Sequence, residues 1–229
     1  MAAMILDGNE LSAEIRNAIS ARIAEFTVLH GPIKLVSVLV GAEPAAVLYA
    51  ESQRKRCIQA GIHHELVELP EDLGQTQLLA EIEKLNADPH VTGIMLHLPL
   101  PAWIDAATVQ YRIDPFKDVE GVNPANIGLL FYGVPLIAPC TALAVMELIH
   151  RSGVDVRGAH AVVVGQSRIV GRPVAMFLTT QEATVTTCNV HTQDLIAHTR
   201  AADILVVAVG KPGVIGAAHV KPGAVVIDV

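Results

Sequence analysis

Apolar residues recur along this chain first at helical spacing and then at strand spacing, and that alternation constrains the fold more than any other feature. Glu10–Val28 carries Leu11, Ile15, Ile19, Ile23 and Phe26 at helical spacing, and His30-Gly31-Pro32 stops the run. Lys34–Val40 then reads as a strand closed by Gly41, and Ala45–Ala60 as a helix ending at Gly61. His63–Leu69 reads as a strand, Gln75–Ala87 as a helix and Thr92–Leu98 as a strand. A β-α-β-α-β order predicts a parallel sheet with helices on its faces. Pro99-Leu100-Pro101 must leave that sheet, and the irregular, proline-bearing stretch Asp114–Pro139 reads as a loop followed by a linker. The pattern resumes with a helix over Cys140–Gly153, a strand over His160–Val164, a helix over Arg172–Thr180 and a strand over Ala183–Cys188. A helix over Thr192–Ala202 and strands over Ile204–Val209 and Ala224–Val229 complete it. The expected architecture is α/β, with two α/β lobes, residues 1–139 and 140–229. A cleft is expected between them, at the carboxyl ends of the strands, where ligands bind in such folds.

Composition narrows the function classes. Apolar residues make up 52% of the chain and charged residues 17%, which excludes a disordered polymer. The apolar runs are strand-length, well short of the ~18–20 residues of a spanning helix, so no membrane association is expected. The N-terminus, Met1-Ala2-Ala3-Met4, shows no basic segment followed by an apolar stretch, so no signal peptide is read there. A net charge of −7 argues against a nucleic-acid partner. Cys57, Cys140 and Cys188 are odd in number and far apart, and are expected to be free buried thiols in a reducing cytoplasm. The histidines include the adjacent pair His63-His64 but no HxxxH, and no metal site is expected. The sequence stops at Val229 inside an apolar strand pattern, where a polar, frayed end is usual. It is therefore expected to be a fragment or to have lost a tail, with a short natural paralog as the alternative.

The sharpest local motif is Val162-Val163-Val164-Gly165-Gln166-Ser167-Arg168-Ile169-Val170-Gly171-Arg172-Pro173. A buried strand enters a glycine loop, and a helix begins with proline near its first turn. Gly165 permits a tight turn. Gly171 permits close approach at a helix start, where free N–H groups favour an anion such as pyrophosphate. The spacing is not GxGxxG, so a purely structural turn competes with nucleotide binding. The strand Ala183–Cys188 ends in Asn189-Val190-His191, without the carboxylate that would hold an NAD ribose. Arg168 and Arg172 tilt the choice toward NADP. Val209-Gly210-Lys211-Pro212-Gly213 is expected to form a second loop at the same sheet edge.

Taken with Val40-Gly41, Pro44-Ala45, Tyr49, Gly93–Pro101, Lys117–Gly121, Pro139–Thr141, Ala183–Thr186 and Lys221–Val229, these motifs resemble the bifunctional methylenetetrahydrofolate dehydrogenase/methenyltetrahydrofolate cyclohydrolase family over the whole chain. The resemblance implies a folate-binding catalytic domain (1–139) and a Rossmann-like cofactor domain (140–229), incomplete at its C-terminus. It also implies oxidation of the methylene bridge of tetrahydrofolate with NADP, hydrolysis of the methenyl product, and a homodimer. Tyr49 matches the tyrosine that stacks on folate. The family's catalytic lysine is Gln53 here, the glutamine of its VQLPLP segment is His97, and the aspartate of KDVDG is Glu120. Catalytic roles are thus expected of Gln53, His97 and Tyr49, with Glu120 joining them to hold substrate. Cofactor binding is expected of Thr141, Gly165, Gln166, Ser167, Arg168, Gly171, Arg172 and Gly210.

The departures matter chemically. A glutamine amide orients water but takes no proton, so cyclohydrolase activity is expected to be weak or absent. His97 is the candidate replacement base, with a neutral, hydrogen-bonded pocket histidine as the competing reading. Lys55 is expected to be a solvated surface lysine. Gln166 and Val190 stand where the family often has arginine and serine for the 2′-phosphate, so NADP binding is expected to be weak. Proline of the family's PCTP becomes Ala142, and the family's later GIN segment, PGGVGPMT loop and final helix lie beyond Val229. Two other readings stay open: a non-redox one-carbon transferase using methylenetetrahydrofolate, and a non-catalytic folate-binding paralog.

Overall fold

The computed structural model describes residues 3–229, so Met1 and Ala2, on which the signal-peptide reading partly rests, lie outside the described residues. Two compact units divide the chain: Asn9–Ala125, and Asn126–Val229 joined by the N-terminal residues up to Gly8. The division falls before the expected 139/140 boundary.

In the Asn9–Ala125 unit the order is α1 (Gly8–His30), β1 (Lys34–Val40), α2 (Pro44–Ala60), β2 (His63–Leu69), α3 (Gln75–Ala87), β3 (Gly93–Leu96) and α4 (Ala106–Arg112). The three strands form one parallel sheet in the order β2-β1-β3. Alternation along β1 assigns its faces. Val36, Val38 and Val40 join Leu78, Ile82 and Leu85 of α3 and Val109 of α4 in one buried cluster. The opposite face carries Leu35, Ser37 and Leu39, in register with His64 and Leu66 of β2 and with Gly93 and Met95 of β3. Of the apolar residues on α1, Ile23 alone is buried among the described residues, while Ile15, Ile19 and Phe26 remain exposed.

The second unit holds α6 (Cys140–Arg151), β4 (His160–Val164), α7 (Gly171–Thr180), β5 (Thr184–Cys188), α8 (Leu195–Thr199), β6 (Ile204–Val207) and β7 (Val225–Asp228). Its sheet is parallel, ordered β5-β4-β6-β7. Ala161 and Val163 pack with α6 and α7 on one face, and Val162 and Val164 with Leu205 and Val207 on the other.

Several expectations need correction. The stretch expected to be loop and linker contains a helix, α5 (Pro124–Phe131), in which Asn126 and Leu130 are buried. Its first position is Pro124, which suits a helix start, so the proline that suggested a linker begins a helix instead. The helix expected over Thr192–Ala202 shrinks to Leu195–Thr199, because Thr192 closes a turn on Asn189 and Asp194 caps from a left-handed backbone. Strands β3 and β6 also end two residues sooner than expected, at Leu96 and Val207. Cys57 and Cys188 are buried as expected, but Cys140, the first residue of α6, is exposed.

One lysine ties the segment 117–121 to the sheet. Lys117 Nζ donates to the carbonyls of Leu85, Asn86 and Asp88 at 3.1, 2.7 and 2.7 Å, satisfying acceptors at the C-terminal end of α3. Its own carbonyl accepts from Ile94 N at 2.7 Å, and Asp118 bridges to Ile94 beside β3. Lys117→Met leaves those carbonyls without the ammonium. Urea denaturation should show a loss of about 2–3 kcal/mol, from charge-assisted bonds to a half-buried group.

Candidate functional site

Four buried or half-buried polar side chains meet on the α2 side of the first sheet. Ser37, fully buried in β1, donates from Oγ to Gln53 Oε1 at 2.7 Å. Its Oγ also lies 3.0 Å from His64 Nε2 on β2. The Gln53 amide nitrogen points to the thioether of Met95 on β3. His97, 2% exposed, extends β3 by donating its backbone N–H to Val38 O at 2.9 Å. Tyr49, one helical turn before Gln53, meets the His97 ring edge-to-face with centroids 5.7 Å apart. Tyr49 is itself 57% exposed, so its ring offers an open aromatic face. Tyr49 and Gln53 also border a groove of about 430 Å³ with Arg16 of α1 and Arg56 of α2.

The two histidines are poorly satisfied. His97 Nε2 and His64 Nδ1 are buried and have no hydrogen-bond partner among the described residues. Burial first, and then the charge of His64, lowers the pKa of His97. Burial, Arg54 and His63 lower that of His64. Both shifts favour the neutral ring, and each ring keeps one buried nitrogen without a partner among the described residues.

Glu120 lies two residues past the Ile94–Asp118 bridge, on the segment anchored by Lys117. Burial, and then the Asp118 charge, pushes its pKa up to about 7. Asp118 is itself fixed, accepting from Asn123 N at 2.8 Å. Of the four residues expected to bind substrate, Tyr49, Gln53 and His97 are thus gathered with Ser37, His64 and Met95, and Glu120 stands on the neighbouring loop. Lys55 is exposed, two residues past Gln53.

In the second unit, β4 ends at Val164 and Gly165 turns away at φ +109°, its N–H donating to Cys188 O at 2.9 Å. A Cβ on Gly165 would overlap the Ala208 carbonyl, and one on Gly171 would overlap the Gly165 carbonyl. The loop is therefore folded tightly enough to require glycine at both positions. Ser167 Oγ accepts from Val170 N at 3.1 Å and Gly171 N at 3.4 Å, holding the entry to α7. Gln166 folds back, donating its amide to Gly165 O at 2.9 Å. Arg168 and Arg172 are exposed, as is Thr141 in the first turn of α6. Because β6 pairs directly with β4, Gly210 lies on a loop at the same sheet edge as Gly165. Val190, two residues past β5, is 91% exposed.

Among the described residues, no group of three or more His, Cys, Asp or Glu side chains could hold a metal, and no helix is long and apolar enough to cross a membrane. The parallel sheet and the glycine cradle at the start of α7 define a Rossmann-like, dinucleotide-binding α/β protein. Comparison with known proteins narrows the class. Residues 6–120 match the model of the tetrahydrofolate dehydrogenase/cyclohydrolase catalytic domain, and residues 139–229 match that of its NAD(P)-binding domain. The bifunctional protein FolD of Bordetella avium is 48% identical over 229 residues, which is 100% of this chain and 81% of that protein. FolD 1 of Rubrobacter xylanophilus is 44% identical over 227 residues, covering 99% and 80%. Among solved structures, the FolD methylenetetrahydrofolate dehydrogenase/cyclohydrolase of Campylobacter jejuni superposes with a TM-score of 0.95 at 38% identity, covering 98% of this chain and 80% of that one. A Trypanosoma brucei FolD complexed with NADP cofactor and inhibitor gives 0.92 at 34% identity, covering 99% and 78%. The chain belongs to the tetrahydrofolate dehydrogenase/cyclohydrolase family.

Ser37, His64 and Met95 were not among the expected site residues. Ser37 is nonetheless the one hydroxyl in the strand Lys34–Val40, and His64 belongs to the histidine pair considered above only for metal binding.

The raised Glu120 pKa has a stability consequence with a definite sign. In the unfolded chain Glu120 ionises near 4.5, whereas in the fold it holds its proton to about 7. Its contribution is therefore fully present below 4.5 and is lost as pH rises through 7. Glu120→Gln should be near neutral at pH 4 and stabilising at pH 8, by up to about 3 kcal/mol before screening of its exposed part. Urea titrations of both proteins at the two pH values read this difference directly.

Proposed function

We propose that this chain is a folate-dependent dehydrogenase that oxidises methylenetetrahydrofolate with NADP and hydrolyses the methenyl product weakly or not at all. The observation that carries the reading is the assembly of Tyr49, Gln53 and His97 on one sheet face, with an open tyrosine ring and fixed polar groups beside it. Tyr49 supplies a stacking surface for an aromatic part of the folate. Gln53 and His97 offer hydrogen bonds to its polar edge. Glu120 offers a carboxyl that accepts from the paired N–H donors of a pterin once ionised, above about pH 7.

The cofactor site fits a dinucleotide by its place in the fold: the tight Gly165–Gly171 turn joins β4 to α7 at the carboxyl edge of the parallel sheet, where Rossmann-like folds bind their ligand. Bound there, oxidised NADP would supply the acceptor for the hydride leaving the methylene bridge of the folate. Hydride transfer asks the protein for positioning more than for a titratable group, so it tolerates glutamine at position 53. Hydrolysis does not. Water attacking the methenyl carbon must lose a proton, and the Gln53 amide takes none. The lowered proton affinity of His97 makes it a weak substitute. Support for weak NADP binding comes from Gln166, whose amide is turned onto Gly165 O, and from the apolar side chain of Val190. Exposed Arg168 and Arg172 supply the remaining attraction. Family resemblance supports a homodimer, and the free cysteines support a cytoplasmic setting.

Hydrolysis is followed as loss of methenyltetrahydrofolate absorbance with and without protein. The expected rate stays close to the uncatalysed one, and Gln53→Lys raises it by ~10²–10⁴-fold, the usual worth of acid–base assistance. Robust hydrolysis by the unmodified protein would overturn the role given to Gln53. Calorimetric titration of NADP should give weak affinity that falls steeply as salt is raised, because the charges involved are exposed. Tight, salt-insensitive binding would place the phosphate on other residues.

A further inference from the structure

We propose that His64 is a positioning residue for the folate site, fixing through Ser37 the direction in which the Gln53 amide faces. The inference rests on the reading that Gln53 meets the folate, and it concerns a residue that the resemblance did not single out.

The bonding direction follows from what each atom can do. A thioether accepts weakly and never donates, so the Gln53 NH2 belongs beside Met95 Sδ and the Gln53 carbonyl beside Ser37. That carbonyl only accepts, so it takes the Ser37 hydroxyl proton. Ser37 Oγ, its proton committed, can only accept from His64 Nε2, 3.0 Å away. His64 is therefore the Nε2–H tautomer, with a bare Nδ1, which is the nitrogen left buried without a partner among the described residues. The three groups form one directed chain: His64 Nε2–H to Ser37 Oγ–H to Gln53 Oε1.

The reverse arrangement is poor. With the proton on Nδ1, Ser37 would donate to His64 Nε2, and Gln53 would have to offer Ser37 its NH2. Its carbonyl oxygen would then face the Met95 sulfur, acceptor against acceptor, in a buried setting where an unmatched polar group is costly. Imidazole tautomer and amide orientation are thus locked together. Burial and the nearby Arg54 and His63 charges keep His64 neutral, as this tautomer requires. The short Ser–His distance does not make Ser37 a nucleophile: its side chain is fully buried and its proton points to Gln53, away from the imidazole.

The test combines imidazole NMR with kinetics. Long-range 1H–15N spectra of the unmodified protein should show Nε2 protonated and Nδ1 bare for His64. In dehydrogenase assays, His64→Leu should raise KM for methylenetetrahydrofolate about tenfold, the worth of one oriented hydrogen bond, with the loss falling on KM rather than kcat. His64→Gln places an amide N–H where the imidazole Nε2–H stood, and should restore KM to within about threefold. Ser37→Ala should match His64→Leu, and the double variant should cost nothing more. An Nδ1–H tautomer, additive losses in the double variant, or no rescue by His64→Gln would each overturn the proposal. If His64→Leu does not fold, the spectra, His64→Gln and Ser37→Ala still decide it. If the unmodified protein neither binds nor oxidises the folate, the reading of the site fails, while the tautomer measurement still decides the relay.

Discussion

A hydroxyl buried in the middle of an apolar strand must be satisfied by something, and in this protein much of the site follows from how that is done. Ser37 lies at 0% exposure, in a β1 that is otherwise leucine and valine from Leu35 to Val40. Leaving its hydroxyl unmatched would cost on the order of 1–3 kcal/mol. The sheet solves this with neighbours in register. β2 brings His64 from one side, β3 brings Met95 from the other, and α2 lowers Gln53 onto the same face. Tyr49 is carried by the same helix one turn earlier, and His97 by the extension of β3. The candidate site is thus the polar seam of an apolar sheet.

The second unit meets a related constraint by omission. Where β4 turns into α7, the backbone comes so close to its own carbonyls, and to the Ala208 carbonyl, that a side chain at Gly165 or Gly171 would collide. The absence of two Cβ atoms lets the loop pack against its own carbonyls where β4 gives way to α7. The parallel pairing of β4 and β6 brings the Gly210 loop to the same edge. In the first unit specificity comes from polar atoms that must be matched, and in the second from space that must be kept clear.

Most of the fold was legible in the sequence because the hydrophobic period was clean. Strands Lys34–Val40, His63–Leu69 and His160–Val164 and helix Gln75–Ala87 have the bounds that periodicity and their glycine and proline flanks predict. Local pattern misleads where one residue type carries two meanings. Pro124 suggested a linker and in fact starts a helix. Thr192 looked helical and instead closes a turn. For the site, Tyr49, Gln53, His97 and Glu120 could be picked out only by resemblance, since no spacing rule links residues so far apart in the chain. Ser37, His64 and Met95 were out of reach for another reason. Their partnership depends on strand register and on α2 lying over one face, and neither is written in local periodicity. The raised pKa of Glu120 likewise comes from burial beside Asp118, which no composition count reveals.

The central claim is that the seam around Gln53 meets the folate. The methionine methyls can report on this directly, because Met95 lies in the seam, whereas Met146 and Met176 belong to helices of the other unit. With 13C-methyl methionine incorporated, reduced folate added without cofactor should shift the Met95 resonance and leave Met146 and Met176 in place. Shifts confined to Met146 or Met176, with Met95 unmoved at saturating folate, would contradict the account.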